Sequence, residues 1–230
     1  MTPSPPTGHQ TGSDSSSQEF GPRVAFDLAL GTDSVAGTDE AGRGCLAGPI
    51  VGAAVRFDYN RLDARALGKL AALNDSKQLS PARRDILFET VVQYAAAVSV
   101  VSRSARTIDR NGLHRSNLAV LAETLNAVAT PGCALLVDGF TLKEFPFAHQ
   151  PVKKGDTKST AIAAASIVAK TVRDRAMTRI AELHELWGFD AHFGYATADH
   201  REAIQAHGVS QHHRLSFNST AYTQLQLAPN

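Results

Sequence analysis

The sequence predicts an α/β fold, a five-stranded sheet flanked by helices on both faces. β-branched and apolar runs at residues 35–39, 49–57 and 95–102 read as three strands, and a fourth, residues 134–139, ends on a carboxylate. Segments of helical pattern stand between and after these runs, the alternation expected of a sheet covered on both sides. A shorter fifth strand is expected within residues 145–154.

Residues 1–21 are dominated by Ser, Thr, Pro, Gly and Gln. Such a stretch buries too little apolar surface to offset its ordering entropy, so a disordered tail is expected. The first two strands are joined by a glycine-rich turn and, with the third, should form an antiparallel meander. Between the second and third, Ser80 can cap a helix whose first turn holds Pro81 and which runs to about Tyr94. Residues 62–73, rich in Ala and Leu, read as an added helical turn. A second amphipathic segment covers residues 108–128 and leads through Pro131-Gly132 into the fourth strand. Residues 157–187 read as one long helix whose small residues, Ala163 to Ala165 among them, permit close packing.

At 230 residues and 43% hydrophobic content the chain supports one catalytic domain, placed at residues 22–217 between the tail and a C-terminal tail, residues 218–230. A net charge of +1 argues against coating nucleic acid through bulk charge and leaves room for a local basic groove. Cys45 and Cys133 are the only cysteines, which excludes a cysteine metal cluster and favours free thiols in a reduced, cytoplasmic setting. The longest apolar stretches, such as residues 161–169, fall short of the ~20 residues that cross a bilayer, so a soluble protein with no membrane partner is expected.

The chemistry concentrates at Thr38-Asp39-Glu40-Ala41-Gly42-Arg43-Gly44. Carboxylate oxygens suit Mg²⁺ or Mn²⁺, and glycines let backbone N–H groups approach a phosphate or sugar. Asp39 and Glu40 would point to opposite faces of a regular strand, so joint use requires a bulge, a strong twist or a strand end. Two further acids stand at element ends, Asp138 after the fourth strand and Asp156 before the long helix. Taken alone, Asp156 could cap that helix and Asp138-Gly139 could be an ordinary turn. Brought together, the four would repel one another and favour divalent cations, a pairing suited to phosphodiester hydrolysis. The spacing Gly42-x-Gly44-x-x-x-Gly48 misses the dinucleotide-binding pattern. The histidines His200, His207, His212 and His213 lack metal-ligand spacing and read as surface or supporting residues.

Six ordered blocks resemble the type 2 ribonuclease H family, ribonuclease HII. They are Asp39 to Gly44 with Ala47-Gly48-Pro49, Asn74 to Ser80, Val137-Asp138-Gly139, Lys154-Gly155-Asp156, Ala163 to Lys170 and Gly194 to His200. The resemblance implies a mixed ribonuclease H-like sheet and a metal-dependent endoribonuclease using Mg²⁺ or Mn²⁺. Its substrates would be RNA–DNA hybrids and duplex DNA with an embedded ribonucleotide, cut on the 5′ side of the ribonucleotide. It also implies that Asp39, Glu40, Asp138 and Asp156 hold metal, that Gly42, Arg43 and Gly44 contact the ribonucleotide, that Lys77 contacts phosphate, and that Tyr195 packs on the next sugar. Lys153, Lys154 and Lys158 could form a basic rim, and Lys170, Arg173 and Arg175 either a solvated helix face or a DNA contact. A monomer is expected. Gln224-Leu225-Gln226-Leu227-Ala228 partly resembles a bacterial sliding-clamp peptide but lacks its terminal aromatic.

Overall fold

Among the residues described by this computed structural model, 20–73 and 80–223, five strands form one mixed sheet. They are Ser34–Ala41 (β1), Ile50–Asp58 (β2), Ala97–Arg103 (β3), Ala134–Asp138 (β4) and Gln150–Val152 (β5), in the order β3-β2-β1-β4-β5. The expected meander is present: β1 pairs antiparallel with β2, and β2 with β3. β4 then returns parallel to β1, and β5 parallel to β4. The fifth strand is shorter than its sequence window because Pro151, lacking a backbone N–H, sits in it and confines it to a sheet edge.

Helices cover both faces. On one side Leu113–Val128, preceded by Ala105–Asn111, buries Leu121, Leu125 and Val128 against Ala36, Ala54, Leu135 and Val137 of the sheet. The sequence reads these two helices as one from residue 108. Gly112, at φ 83, ends the first and opens the second, a left-handed conformation that costs glycine little. On the other side the 24-residue helix Thr160–Leu183 (α6) packs Ile162, Ala163, Ala164 and Ala165 on Val35, Val55 and Leu136. Contact there is close: a Cβ on Gly37 of β1 would stand 2.4 Å from the Ile162 backbone nitrogen. Small residues on α6 and a glycine on β1 thus set the spacing between helix and sheet.

Ser80 caps Pro81–Tyr94 (α3) as expected, its hydroxyl accepting from the Arg83 N–H at 3.3 Å. The added turn is the helix Ala64–Ala71, capped by Asp63. α6 starts later than the sequence suggests because Ser159, rather than Asp156, accepts from the Ile162 N–H and caps it. It ends at Leu183, and a 3₁₀ turn, Glu185–Trp187, follows. Pro22–Leu28 packs against α6 and the helix Ala64–Ala71. Its buried Asp27 accepts from the Tyr59 hydroxyl at 2.7 Å and the Ala161 N–H at 2.9 Å, tying the first helix to the start of α6. Among the described residues no helix is long and apolar enough to cross a membrane. Cys45 and Cys133 are free thiols.

Candidate active site

Strand register decides where the acids go. The parallel β1–β4 ladder ends at Thr38 opposite Val137, so the next residues, Asp39 and Asp138, stand side by side at the carboxyl ends of adjacent strands. Both follow the alternation that points Val35 and Leu136 toward α6. Glu40 joins them without a bulge, since β1–β2 pairing runs unbroken to Ala41 opposite Val51. The convergence is a strand-end effect: β4 stops at Asp138, which leaves Glu40 at the open margin of the sheet.

A cavity of about 530 Å³ opens at this margin, lined by Glu40, the 41–44 loop, Asp138, Phe140, Ser166, Lys170 and Tyr195. Asp39 lies beneath it, 4% exposed, its Oδ1 accepting from the Glu40 N–H at 2.7 Å and its carboxylate accepting from Ser166. Burial, then the charges of Glu40 and Asp138, push the Asp39 carboxyl well above the usual carboxylate range. Asp138 Oδ1 accepts from the Gly155 N–H at 2.6 Å, which brings the backbone next to Asp156 against it. Asp156 itself is buried in the 3₁₀ turn Gly155–Thr157, with its carbonyl accepting from Arg23 Nε at 2.9 Å. It neither lines the cavity nor is among the charges that press on Asp39. Among the described residues no three His, Cys, Asp or Glu side chains are grouped closely enough to hold a metal ion as they stand. The three crowded carboxylates nevertheless offer a hard oxygen donor set, the chemistry Mg²⁺ and Mn²⁺ prefer.

The 43–49 segment that carries the loop is held by two fully buried arginines. Arg173 donates to the carbonyls of Pro49, Phe193 and Ala47, and Arg214 to those of Gly48 and Arg43. The two glycines serve different ends. Gly42, at φ 86, leaves room for Arg173, whose Nε would lie 1.9 Å from a Cβ there; Gly44 faces open space with no atom within 4 Å. Arg43 is exposed, its guanidinium 4.8 Å from the centre of the Phe140 ring. Tyr195, 39% exposed, lines the same cavity, its hydroxyl bonded to the buried Cys45 thiol.

Arg173 is therefore neither a solvated residue nor a DNA contact; burial and three carbonyl bonds make it a brace. Arg175 is exposed and paired with Asp85 at 3.0 Å, whereas Lys170 points into the cavity. Lys153, Lys154 and Lys158 are exposed. Lys77 and the 224–228 segment lie outside the described residues, as do residues 1–19 of the expected tail. The histidines divide between the two expected roles, surface and support. His207 is exposed, but His200 and His213 are buried, their Nε2 atoms 3.1 Å apart, with His192 stacked on His200 at 4.2 Å. His200 Nδ1 sits 2.8 Å from the Tyr195 carbonyl, so this stack supports the loop that carries Tyr195. Burial lowers both His200 and His213 to about 4. Ser166, Phe140, Cys45 and Arg214 were not singled out from sequence. For Ser166 a signal existed, since it lies four residues before Lys170 on one helix face.

Acids at the carboxyl ends of β1 and β4, within a mixed sheet of order 3-2-1-4-5, mark the fold as one of the ribonuclease H class. The ribonuclease HII family profile matches residues 36–220, and the chain belongs to that family, endoribonucleases acting on RNA–DNA hybrids. Ribonuclease HII of Geobacter sulfurreducens is 43% identical over 187 residues, 81% of this chain and 83% of that protein. Ribonuclease H2 from Pyrococcus horikoshii shares the fold, with a TM-score of 0.69 at 24% identity over 84% of this chain and 97% of that one. Bst-RNase HIII, solved in complex with Mn²⁺, gives a TM-score of 0.68 at 21% identity over 90% of this chain and 73% of its own.

Proposed function

We propose that this enzyme incises duplex DNA on the 5′ side of a single embedded ribonucleotide, besides hydrolysing RNA in longer hybrids, and leaves 3′-hydroxyl and 5′-phosphate ends. The observation that carries the reading is one cavity shared by Glu40, Asp138, the Gly42-Arg43-Gly44 loop and Tyr195 above the buried Asp39. Two Mg²⁺ or Mn²⁺ ions held by Asp39, Glu40, Asp138 and Asp156 would supply water activation and charge stabilisation on the leaving oxygen. The Mn²⁺ complex of the similarly folded Bst-RNase HIII supports that choice of ions.

The chain's own groups do the recognition. Gly44 leaves space for a sugar to approach the backbone, whose N–H and C=O groups can test for a 2′-hydroxyl, the donor and acceptor that DNA lacks. Arg43, fixed at its backbone by Arg214 and at its guanidinium by Phe140, is placed to pair with phosphate oxygens. Tyr195 offers a flat face on which the following deoxyribose can rest, and Lys77 would take a phosphate. The enzyme would act as a cytoplasmic monomer, its catalytic unit being residues 22–217.

A DNA duplex bearing one ribonucleotide, incubated with the protein and Mg²⁺ or Mn²⁺, should give one cut 5′ of that nucleotide, and the all-DNA duplex should stay intact. Cleavage of long hybrids alone, with the single-ribonucleotide duplex untouched, would place the specificity with the type 3 enzymes and overturn this reading.

A further inference from the structure

We infer that His213 and His200 form a one-way hydrogen-bond relay of two neutral imidazoles that positions Tyr195 for the substrate. This rests on the function proposed above, in which Tyr195 carries the deoxyribose after the ribonucleotide. It makes His200 a positioning residue that acts through Tyr195.

The partners at the two ends fix every proton. His200 Nδ1 lies 2.8 Å from the Tyr195 carbonyl, which has no proton to give, so Nδ1 carries one. At the other end the Ser210 backbone N–H meets His213 Nδ1 at 2.8 Å and can only donate, so that nitrogen is bare. The Ser210 hydroxyl, itself accepting from the His212 N–H at 3.2 Å, stands 2.9 Å from the same nitrogen as a second donor. A neutral His213 bare at Nδ1 carries its proton on Nε2. Its Nε2 lies 3.1 Å from that of His200, so His200 accepts there and is neutral as well. The polarity runs from Ser210 through His213 and His200 to the Tyr195 carbonyl, and a further proton on either ring would set N–H against N–H. Both rings are buried, with the Phe189 ring 5.7 Å from each, and burial favours the uncharged form.

The turn that presents Tyr195 needs such support. Phe193 and Gly194 stand at φ 50 and φ 80, a left-handed conformation that costs a phenylalanine but little for glycine. His192, stacked on His200, accepts from the Gly194 N–H at 3.1 Å with Nδ1 and lies 2.7 Å from the Trp187 carbonyl with Nε2. The two stacked rings therefore hold opposite tautomers and grip consecutive residues of the turn. Tyr195 enters the cavity from this turn, whereas Glu40 and Asp138 enter it from β1 and β4. Loosening the relay thus moves the sugar platform and leaves the acids in place.

Long-range ¹H–¹⁵N NMR of the histidine rings in the wild-type protein at pH 7, assigned by single substitutions, reads the tautomers. His200 should be protonated on Nδ1 alone, and His192 and His213 on Nε2 alone. A proton on His200 Nε2, or a charged ring at His200 or His213, would overturn the relay. Steady-state cleavage of a single-ribonucleotide duplex in Mg²⁺ tests the positioning. His200→Asn sets an amide N–H where Nδ1 was and should keep KM within about twofold of wild type; His200→Gln, whose amide replaces Nε2 instead, should raise KM about fivefold with kcat within about twofold, the scale of one hydrogen bond. In a Tyr195→Ala background the same two substitutions should leave KM alike, because the platform they position is gone. Equal KM for the two variants with Tyr195 present, or a glutamine penalty that persists without it, would overturn the positioning role, since a ring that only stabilises the fold moves melting temperature and not this difference. If neither variant folds, the wild-type tautomers still decide the relay. Failure of wild type to cut the duplex would overturn the proposed function and leave the tautomer result standing.

Discussion

At the scale of single residues the site is a compromise between stability and chemistry. Asp39 is buried among like charges, and burial and repulsion both disfavour its ionised form. Asp39→Asn and Asp138→Asn remove a charge with almost no change in shape. Each should cut turnover about 10³-fold or more, equivalent to roughly 4 kcal/mol of barrier. The same variants should melt higher than wild type in metal-free buffer, by about 2–4 °C for each kcal/mol of repulsion relieved. Cleavage assays and calorimetric melts check the two halves together. A lowered melting temperature would show that Asp39 contributes to stability through its hydrogen bonds from Ser166 and Glu40 more than it costs through repulsion. Asp156 differs: it does not line the cavity, and Asp156→Asn should be the mildest of the acid substitutions.

At the scale of elements, spacing between β1 and α6 governs where Asp39 meets Ser166. Gly37→Ala would drive a methyl into the Ile162 backbone, which cannot yield as a flexible side chain would. We expect a loss on the order of 3 kcal/mol, or about 6–12 °C in melting temperature. Gly44→Ala, facing open space, should melt like wild type and be impaired only in substrate affinity, which a paired melt and KM measurement would show. Elements were legible in the sequence where local chemistry decides them: the Ser80–Pro81 start of α3, the glycine turn between β1 and β2, and the apolar run ending at Asp138. The split at Gly112 and the shortness of β5 were less so, because a glycine inside an amphipathic pattern and a proline at a strand edge act through tertiary context.

Across the whole molecule, buried ionisable groups set the pH range of stability. His200 and His213 fall from 6.5 to about 4 on folding, so between those values the unfolded chain binds protons that the native state refuses. Stability is therefore present above pH 6.5 and is lost as pH falls toward 4. Asp27 works the other way. Burial raises it from 3.8 to about 6, so in that window the folded state holds the extra proton and gains stability as pH falls. Four imidazoles held low by burial, those of His192, His200, His212 and His213, outweigh the two raised carboxyls of Asp27 and Asp39, and the urea midpoint should drop between pH 7 and pH 4.5. Asp27→Asn, which removes one opposing group, should steepen that drop; an unchanged or shallower dependence would contradict the assignment.

The candidate site was legible at the level of residue blocks, since the acids, the glycine–arginine loop and Tyr195 stand in quotable runs. Its supports were not. Arg173 and Arg214 act through backbone carbonyls brought from distant loops, and nothing in the local pattern separates a buried bracing arginine from a solvated one. The histidine stack beneath Tyr195 joins residues of three segments, so no spacing rule could announce it.

Central to the whole reading is that Asp39, Glu40 and Asp138 attract divalent cations to the margin of the sheet. Titration of Mn²⁺ into the nucleic-acid-free protein, followed by electron paramagnetic resonance, tests this most directly. Saturable Mn²⁺ binding by wild type, displaced by Mg²⁺ and weakened at least about 10-fold by Asp138→Asn, is the predicted result. Equal Mn²⁺ affinity in wild type and in the Asp39→Asn and Asp138→Asn variants would contradict it.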